Sequence, residues 1–265
     1  MSRIARRVGL VGTVMTVIGL GVATPSFASV GNGSAGTAIA ISALPYSHTE
    51  DTTSATSDPS NPTDCTNGTP TVWFKFKATR SQRLTVSTVG SNYGIYVGVY
   101  QGTPTSLTPV VCFYGSYWDI LTTPGVTYFF MVSRCCDTGP NFNLAFHLVR
   151  PPKVAGTVYP HGSVRWVDGV ATVSGTVTCS RRADATVGIS LVQRVSRTLL
   201  ATGSATFDDP KCSTTPTGWS GQIVPGGFVP FVKGAAAATL SFSACDSLGS
   251  CSDPLTLGPV TINLS

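Results

Sequence analysis

All eight cysteines of this chain lie at or beyond Cys65, downstream of an N-terminal stretch laid out like an export signal. That order constrains folding more than any other feature, because exported thiols meet an oxidising compartment and end as disulfides. Arg3, Arg6 and Arg7 precede an apolar run from Val8 to Val22, and Ser26-Phe27-Ala28 places small residues at a cleavage site. The run is short and glycine-bearing for a membrane span. Residues 1–28 are therefore expected to be a signal peptide, and the mature protein to be secreted and extracellular. Removing three of the 17 basic residues leaves 14 against 12 acidic ones, a net charge of +2. Lys75, Lys77, Arg80 and Arg83 form a modest basic stretch around a hairpin, which reads as a solvated face rather than a polyanion site. Neither nucleic acid nor membrane insertion after signal cleavage is expected of the mature chain.

Glu50 is the only glutamate, and Gly, Ser, Thr, Val and Pro dominate where helix formers would stand. That composition favours strands. Val72, Phe74 and Phe76 alternate with Trp73, Lys75 and Lys77, and Leu84-Val86-Thr88 and Ile95-Val97-Val99 repeat the period of two. Phe142, Leu144, Phe146 and Leu148 give the cleanest alternation, while Thr127 to Ser133 is nearly all apolar, as in a strand covered on both faces. Thr49 to Pro70 reads as a long polar surface loop held down through Cys65. Arg150-Pro151-Pro152-Lys153 then stops sheet pairing and stiffens a linker. Beyond it lie seven further strand candidates: 164–167, 170–178, 186–195, 201–207, 219–224, 237–244 and 260–264. Seven strands at that spacing suit an immunoglobulin-like sandwich. The expected fold is all-β: two disulfide-bonded β-sandwich domains, jelly-roll-like over 29–150 and immunoglobulin-like over 151–265.

Four cysteines fall on each side of the linker. Eight cysteines allow 105 pairings, and confinement within domains cuts these to three times three, or nine. In the second domain, Cys179–Cys212 with Cys245–Cys251 is preferred, and Cys179–Cys245 packed on Trp219 is the rival. In the first, Cys65–Cys112 would anchor the long loop. That leaves Cys135 and Cys136 adjacent, closer than a relaxed disulfide allows. The alternative pairs Cys65 and Cys112 each with one of them.

Several segments in order carry a family likeness. They are Ala40-Ile41-Ser42-Ala43-Leu44-Pro45, Asp51 to Thr56, Val72-Trp73-Phe74-Lys75-Phe76, Gly90-Ser91-Asn92-Tyr93, Val97-Gly98-Val99-Tyr100, Cys112 and Gly125-Val126-Thr127-Tyr128. Together they resemble the bacterial pre-peptidase C-terminal family, a β-sandwich appended to secreted proteases and surface proteins. Members commonly carry acidic residues where this chain has Gly94 and Phe113-Tyr114-Gly115. Calcium needs several oxygen ligands, so no metal is expected here. The second half, through Val173-Ser174-Gly175-Thr176-Val177-Thr178-Cys179, Gly218-Trp219-Ser220 and Ala244-Cys245-Asp246, resembles an uncharacterised immunoglobulin-like module of secreted bacterial proteins.

Chemistry is sparse. The histidines are His48, His147 and His161, and His147 sits among apolar strand residues, so it should face away from the core. No G-x-S-x-G elbow, H-E-x-x-H helix or P-loop is present. No enzyme activity, catalytic residue or cofactor is expected. Phe113, Tyr114, Tyr117 and Trp118 crowd together where the resemblance places acids. Either they are core, or Tyr114, Tyr117 and Trp118 form a surface that binds an extracellular carbohydrate or protein. Such non-catalytic binding is the functional expectation. The alternatives are a hydrolase accessory protein, or a small-ligand carrier whose cleft Trp219, Phe228, Phe231 and Phe242 would line.

Overall fold

The computed structural model describes residues 30–66, 70–135 and 142–265, and they are all-β apart from a 3₁₀ turn at Ala35–Thr37. The expected signal peptide, residues 1–28, and Cys136 lie outside the described residues. Nine strands build the first sandwich: β1 (Ile39–Ile41), β2 (Tyr46–Asp51), β3 (Thr71–Lys77), β4 (Gln82–Ser87), β5 (Ile95–Thr103), β6 (Ser106–Tyr114), β7 (Tyr117–Thr122), β8 (Thr127–Arg134) and β9 (Asn143–Val149). One sheet runs β1-β3-β8-β5-β6 and the other β2-β9-β4-β7. Between them pack Phe74, Val97, Phe130, Leu84, Val86, Leu144 and Phe146. Phe74 and Phe146 stack at 4.2 Å and 4° across the gap.

The first sheet is also buried on its far side. Trp73, Tyr100, Phe129 and Met131 point outward there and are roofed by Ala35, Ala38 and Cys65. This second small core explains the unbroken apolar run of β8. Gly98 makes the roof possible: a Cβ there would stand 2.7 Å from both the Cys65 Cβ and the Tyr100 ring.

Eight strands build the second sandwich: β10 (Val154–Val158), β11 (His161–Arg165), β12 (Val170–Cys179), β13 (Ala183–Arg194), β14 (Leu200–Cys212), β15 (Thr217–Ile223), β16 (Gly234–Cys245) and β17 (Leu255–Leu264). β12 carries β15 on one edge and β10 and β11 along the other. The opposing layer runs β17-β16-β13-β14. β11 also pairs in parallel with β17 and so stitches the two layers. Buried residues alternate with exposed or half-buried ones along β13 and β16 and with half-buried ones along β12, which aims every second side chain at the core. Trp219 meets Phe242 edge-on at 6.3 Å in that core. No strand pairing crosses residues 150–153 among the described residues.

Cys65–Cys112, Cys179–Cys212 and Cys245–Cys251 are bonded. Cys135 is also disulfide-bonded. β1, β2, β6, β7 and β10 have no counterpart among the expected strands, and β2 takes the first residues of the expected polar loop. β11 ends at Arg165, so Trp166 and Val167 of the expected strand 164–167 fall in a turn instead.

The two sandwiches are latched together. The ring closed by Cys245–Cys251 presses on the outer face of β4 and β7. Thr85 Oγ1 lies 2.6 Å from Asp119 Oδ1 and 2.7 Å from Ser250 Oγ. A carboxylate only accepts, so Thr85 donates to Asp119 and Ser250 donates to Thr85. Arg83, expected in a solvated basic stretch, instead donates to the Cys251 carbonyl and pairs with Asp119 at 3.5 Å and Asp253 at 3.3 Å. Asp246, almost fully buried, shapes the ring by accepting from the Leu248 and Ser250 amides, each at 3.0 Å. It also holds Arg181, whose guanidinium reaches the Arg150 carbonyl of the linker at 2.6 Å.

Candidate functional site

Tyr114, Tyr117 and Trp118 are exposed by 63%, 52% and 48%, so none of the three is core. They sit on strands rather than in a loop. β6 edges one sheet, β7 edges the other, and only Gly115-Ser116 separates them. Because successive strand residues point to opposite faces, the three rings do not share a plane. Tyr114 stands on the outer face of its sheet beside Tyr96, with centroids 5.2 Å apart and planes at 52°. Trp118 turns inward at the sandwich edge and stacks on buried Phe113 at 5.9 Å and 20°. Tyr117 points to the second sandwich, where its ring lies against Gly249. A Cβ at Gly249 would fall 2.2 Å from that ring, and its φ of +78° already favours glycine. The aromatics therefore wrap one edge of the molecule instead of forming one flat plate.

Beside this edge opens a cleft of about 310 Å³ lined by Thr63, Asp64, Thr66, Tyr96, Phe113 and Tyr114, with the Cys65–Cys112 disulfide as its floor. Tyr100 donates its hydroxyl to Asp64 Oδ1 at 2.8 Å. Burial first, then that bond and the carboxylate's charge, hold the Tyr100 phenol well above the usual tyrosine range. A carboxylate offers about four lone-pair sites, so the cleft presents acceptors and two tilted rings to whatever enters. Asp64 is not among the residues the sequence points to. The Cys65–Cys112 disulfide brings it beside Tyr96 and Tyr114, and no local spacing announces that.

Asp64 with Cys65 and Cys112 is also the one grouping of metal-ligating types among the described residues, and its two sulfurs are bonded to each other. His147 faces outward from β9; its Nδ1 accepts from Ser47 at 2.9 Å and its Nε2 donates to the Val89 carbonyl at 3.1 Å. The pair pins neighbouring segments on an outer sheet face. His48 lies on β2, with Nε2 3.6 Å from Glu50, beyond hydrogen-bond reach. In the second sandwich, Trp219, Phe231 and Phe242 are buried in the core while Phe228 stands wholly in solvent, so these four line no common cleft.

No family model and no curated protein matches this chain. Among solved structures, it is similar to a β-glucuronidase of Parabacteroides merdae at 14% identity and a TM-score of 0.26, covering 73% of this chain and 27% of that one. A GH2 β-galacturonidase of Eisenbergiella tayi aligns at 10% identity and a TM-score of 0.23, covering 73% of this chain and 35% of its own. The chain spans about a third of those enzymes, and a likeness at this level says nothing about function.

Proposed function

We propose that this is a secreted, non-catalytic binding protein that holds an extracellular carbohydrate at the β6–β7 edge of its first domain. The observation that carries the reading is the exposure of Tyr114, Tyr117 and Trp118 on adjoining edge strands beside a cleft holding Asp64 and Tyr96. Aromatic faces take the apolar faces of sugar rings, while carboxylate and threonine oxygens take hydroxyls. The cleft lining contains one carboxylate and no cation, which favours neutral sugars over uronates. The Cys65–Cys112, Cys179–Cys212 and Cys245–Cys251 disulfides are the chemistry of an oxidising compartment and support the export reading. The layer order of the second sandwich supports an immunoglobulin-like module, and the prolines at 151 and 152 support a boundary there. The resemblance to pre-peptidase C-terminal domains supports an appended, non-catalytic role.

Native gels cast with laminarin, galactomannan or xyloglucan test this. At least one is expected to retard the protein while polygalacturonate does not. Trp118→Ala and Tyr96→Ala should each weaken retention at least tenfold with little change in Tm, since both rings are partly in solvent. Asp64→Asn keeps an acceptor for Tyr100 but should admit polygalacturonate. Unretarded migration in all three neutral gels overturns the reading. A fall of about 3–5 kcal/mol in stability with Trp118→Ala, the cost of losing a buried Trp, returns that residue to the core.

A further inference from the structure

Folding assembles at the far end of the second sandwich what the sequence scatters. β12 runs ten residues from the β11–β12 turn to Cys179, so this end stands about 33 Å from the latch. Three connections meet there: residues 166–169, 195–199 and 224–233. Gly169 packs directly on Pro230, and the Gly226 amide donates to the Thr202 carbonyl at 2.7 Å. The Gln193 side chain clasps Val232 through both of its backbone groups, at 2.8 and 2.9 Å.

These connections, with Leu200 at the start of β14, expose Trp166, Val167, Leu199, Leu200, Val224 and Phe228. Trp166 is 89% exposed and Phe228 wholly so, and neither contributes to the core beneath. Large apolar side chains gathered at one end of a soluble domain mark an interaction surface. Exposed Arg194, Arg197 and Lys233 stand among them. The single carboxylate of the three connections, Asp168, is paired with Arg165 at 2.6 Å. The sequence sets Lys233 far from the two arginines, and the fold gathers the three cations from positions up to about 40 apart.

We propose that this end docks on an anionic lipid surface. Trp166 and Phe228 enter the headgroup boundary while Arg194, Arg197 and Lys233 meet phosphate. Amphipathic Trp suits that boundary, and apolar insertion combined with basic residues is the usual pair of signals for reversible attachment. Charge decides among occupants. A second copy docked face to face would oppose like charges, and a neutral glycan would leave the cations without purpose.

Co-sedimentation of the full chain with phosphatidylcholine vesicles, with and without phosphatidylglycerol, tests the proposal. The protein should pellet with the anionic vesicles and weakly or not at all with neutral ones. Tryptophan emission should shift to the blue on binding, and Trp166→Ser should remove that shift. The Trp166→Ser/Phe228→Ser pair should weaken binding at least tenfold. Arg197→Gln and Lys233→Gln should each cost about fivefold and narrow the preference for anionic lipid. All four sites are exposed, so Tm should hold, and Trp118→Ala should bind vesicles like the wild type. Absence of the wild type from both pellets overturns the proposal, as does equal binding by the double serine variant. A dimer that the double variant dissociates reassigns the surface to self-association and also overturns it.

Discussion

The two sandwiches solve the same problem with different means. The second alternates cleanly, fills its core from one face of each strand and leaves the other face to water. The first stacks large rings such as Phe74, Phe130 and Phe146 between its sheets and also buries side chains outside them. Trp73 and Tyr100 need the roofing loop, and Thr85, fully buried, lies against the ring of the neighbouring sandwich. A sandwich covered on three surfaces depends on its surroundings; one covered between its sheets does not. The first should therefore lean on the second more than the reverse.

Calorimetry of core variants is the hardest test of that asymmetry. Phe74→Ala and Phe242→Ala each remove a fully buried ring and should cost about 3–5 kcal/mol. Phe74→Ala is expected to lower one thermal transition and spare the other. Phe242→Ala should lower both, because the first sandwich loses its cover. Equal independence of the two transitions breaks the comparison. Replacing the Cys65–Cys112, Cys179–Cys212 or Cys245–Cys251 pair by serine comes next. Loop-closure entropy for separations of 47, 33 and 6 residues gives about 4, about 3.7 and about 2 kcal/mol respectively. Urea midpoints in any other order would show that native contacts, not chain entropy, set the ranking.

Alkaline titration separates the sandwiches again. Free tyrosine ionises near pH 10, whereas Tyr100 in the folded protein holds its proton higher. Its contribution is complete below about pH 10 and lost as pH rises toward the folded value, about 1 kcal/mol between pH 10 and 11. Tyr100→Phe should flatten that decline in the first transition and leave the second alone. A steep decline surviving in the phenylalanine variant removes Tyr100 as its cause. Smallest is Ser250→Ala at the latch, expected to cost about 1 kcal/mol. It should draw the two transitions apart without lowering the second.

Legibility in the sequence followed periodicity. β12, β13 and β16 announce themselves because Val, Ala, Leu and Phe alternate with polar residues over ten or more positions. β2 does not, since its half-buried residues are Tyr46, His48 and Glu50 and no apolar stripe results. β10 is masked by the prolines before it and by Gly156, which leaves room for the Phe242 ring. The aromatics of the candidate site were visible as a cluster, but their distribution over three directions depends on which residues end β6 and begin β7. Asp64 reaches the same site only through a disulfide spanning 47 residues. Thr85 reads as a solvent-facing hydroxyl until a second domain is set against it.

The latch has a mechanical consequence. Two prolines join the sandwiches, yet a pull between the ends of the molecule would not be borne by that linker alone. It would be shared by Arg83, Thr85 and Arg181, whose hydrogen bonds land on the Cys245–Cys251 ring or on Arg150. These bonds act side by side, so they load together and resist shear as a group, and the ring keeps its shape because a covalent bond closes it. Under tension the molecule should stretch as a single strut up to a threshold. Only beyond it would it hinge at Pro151 and Pro152.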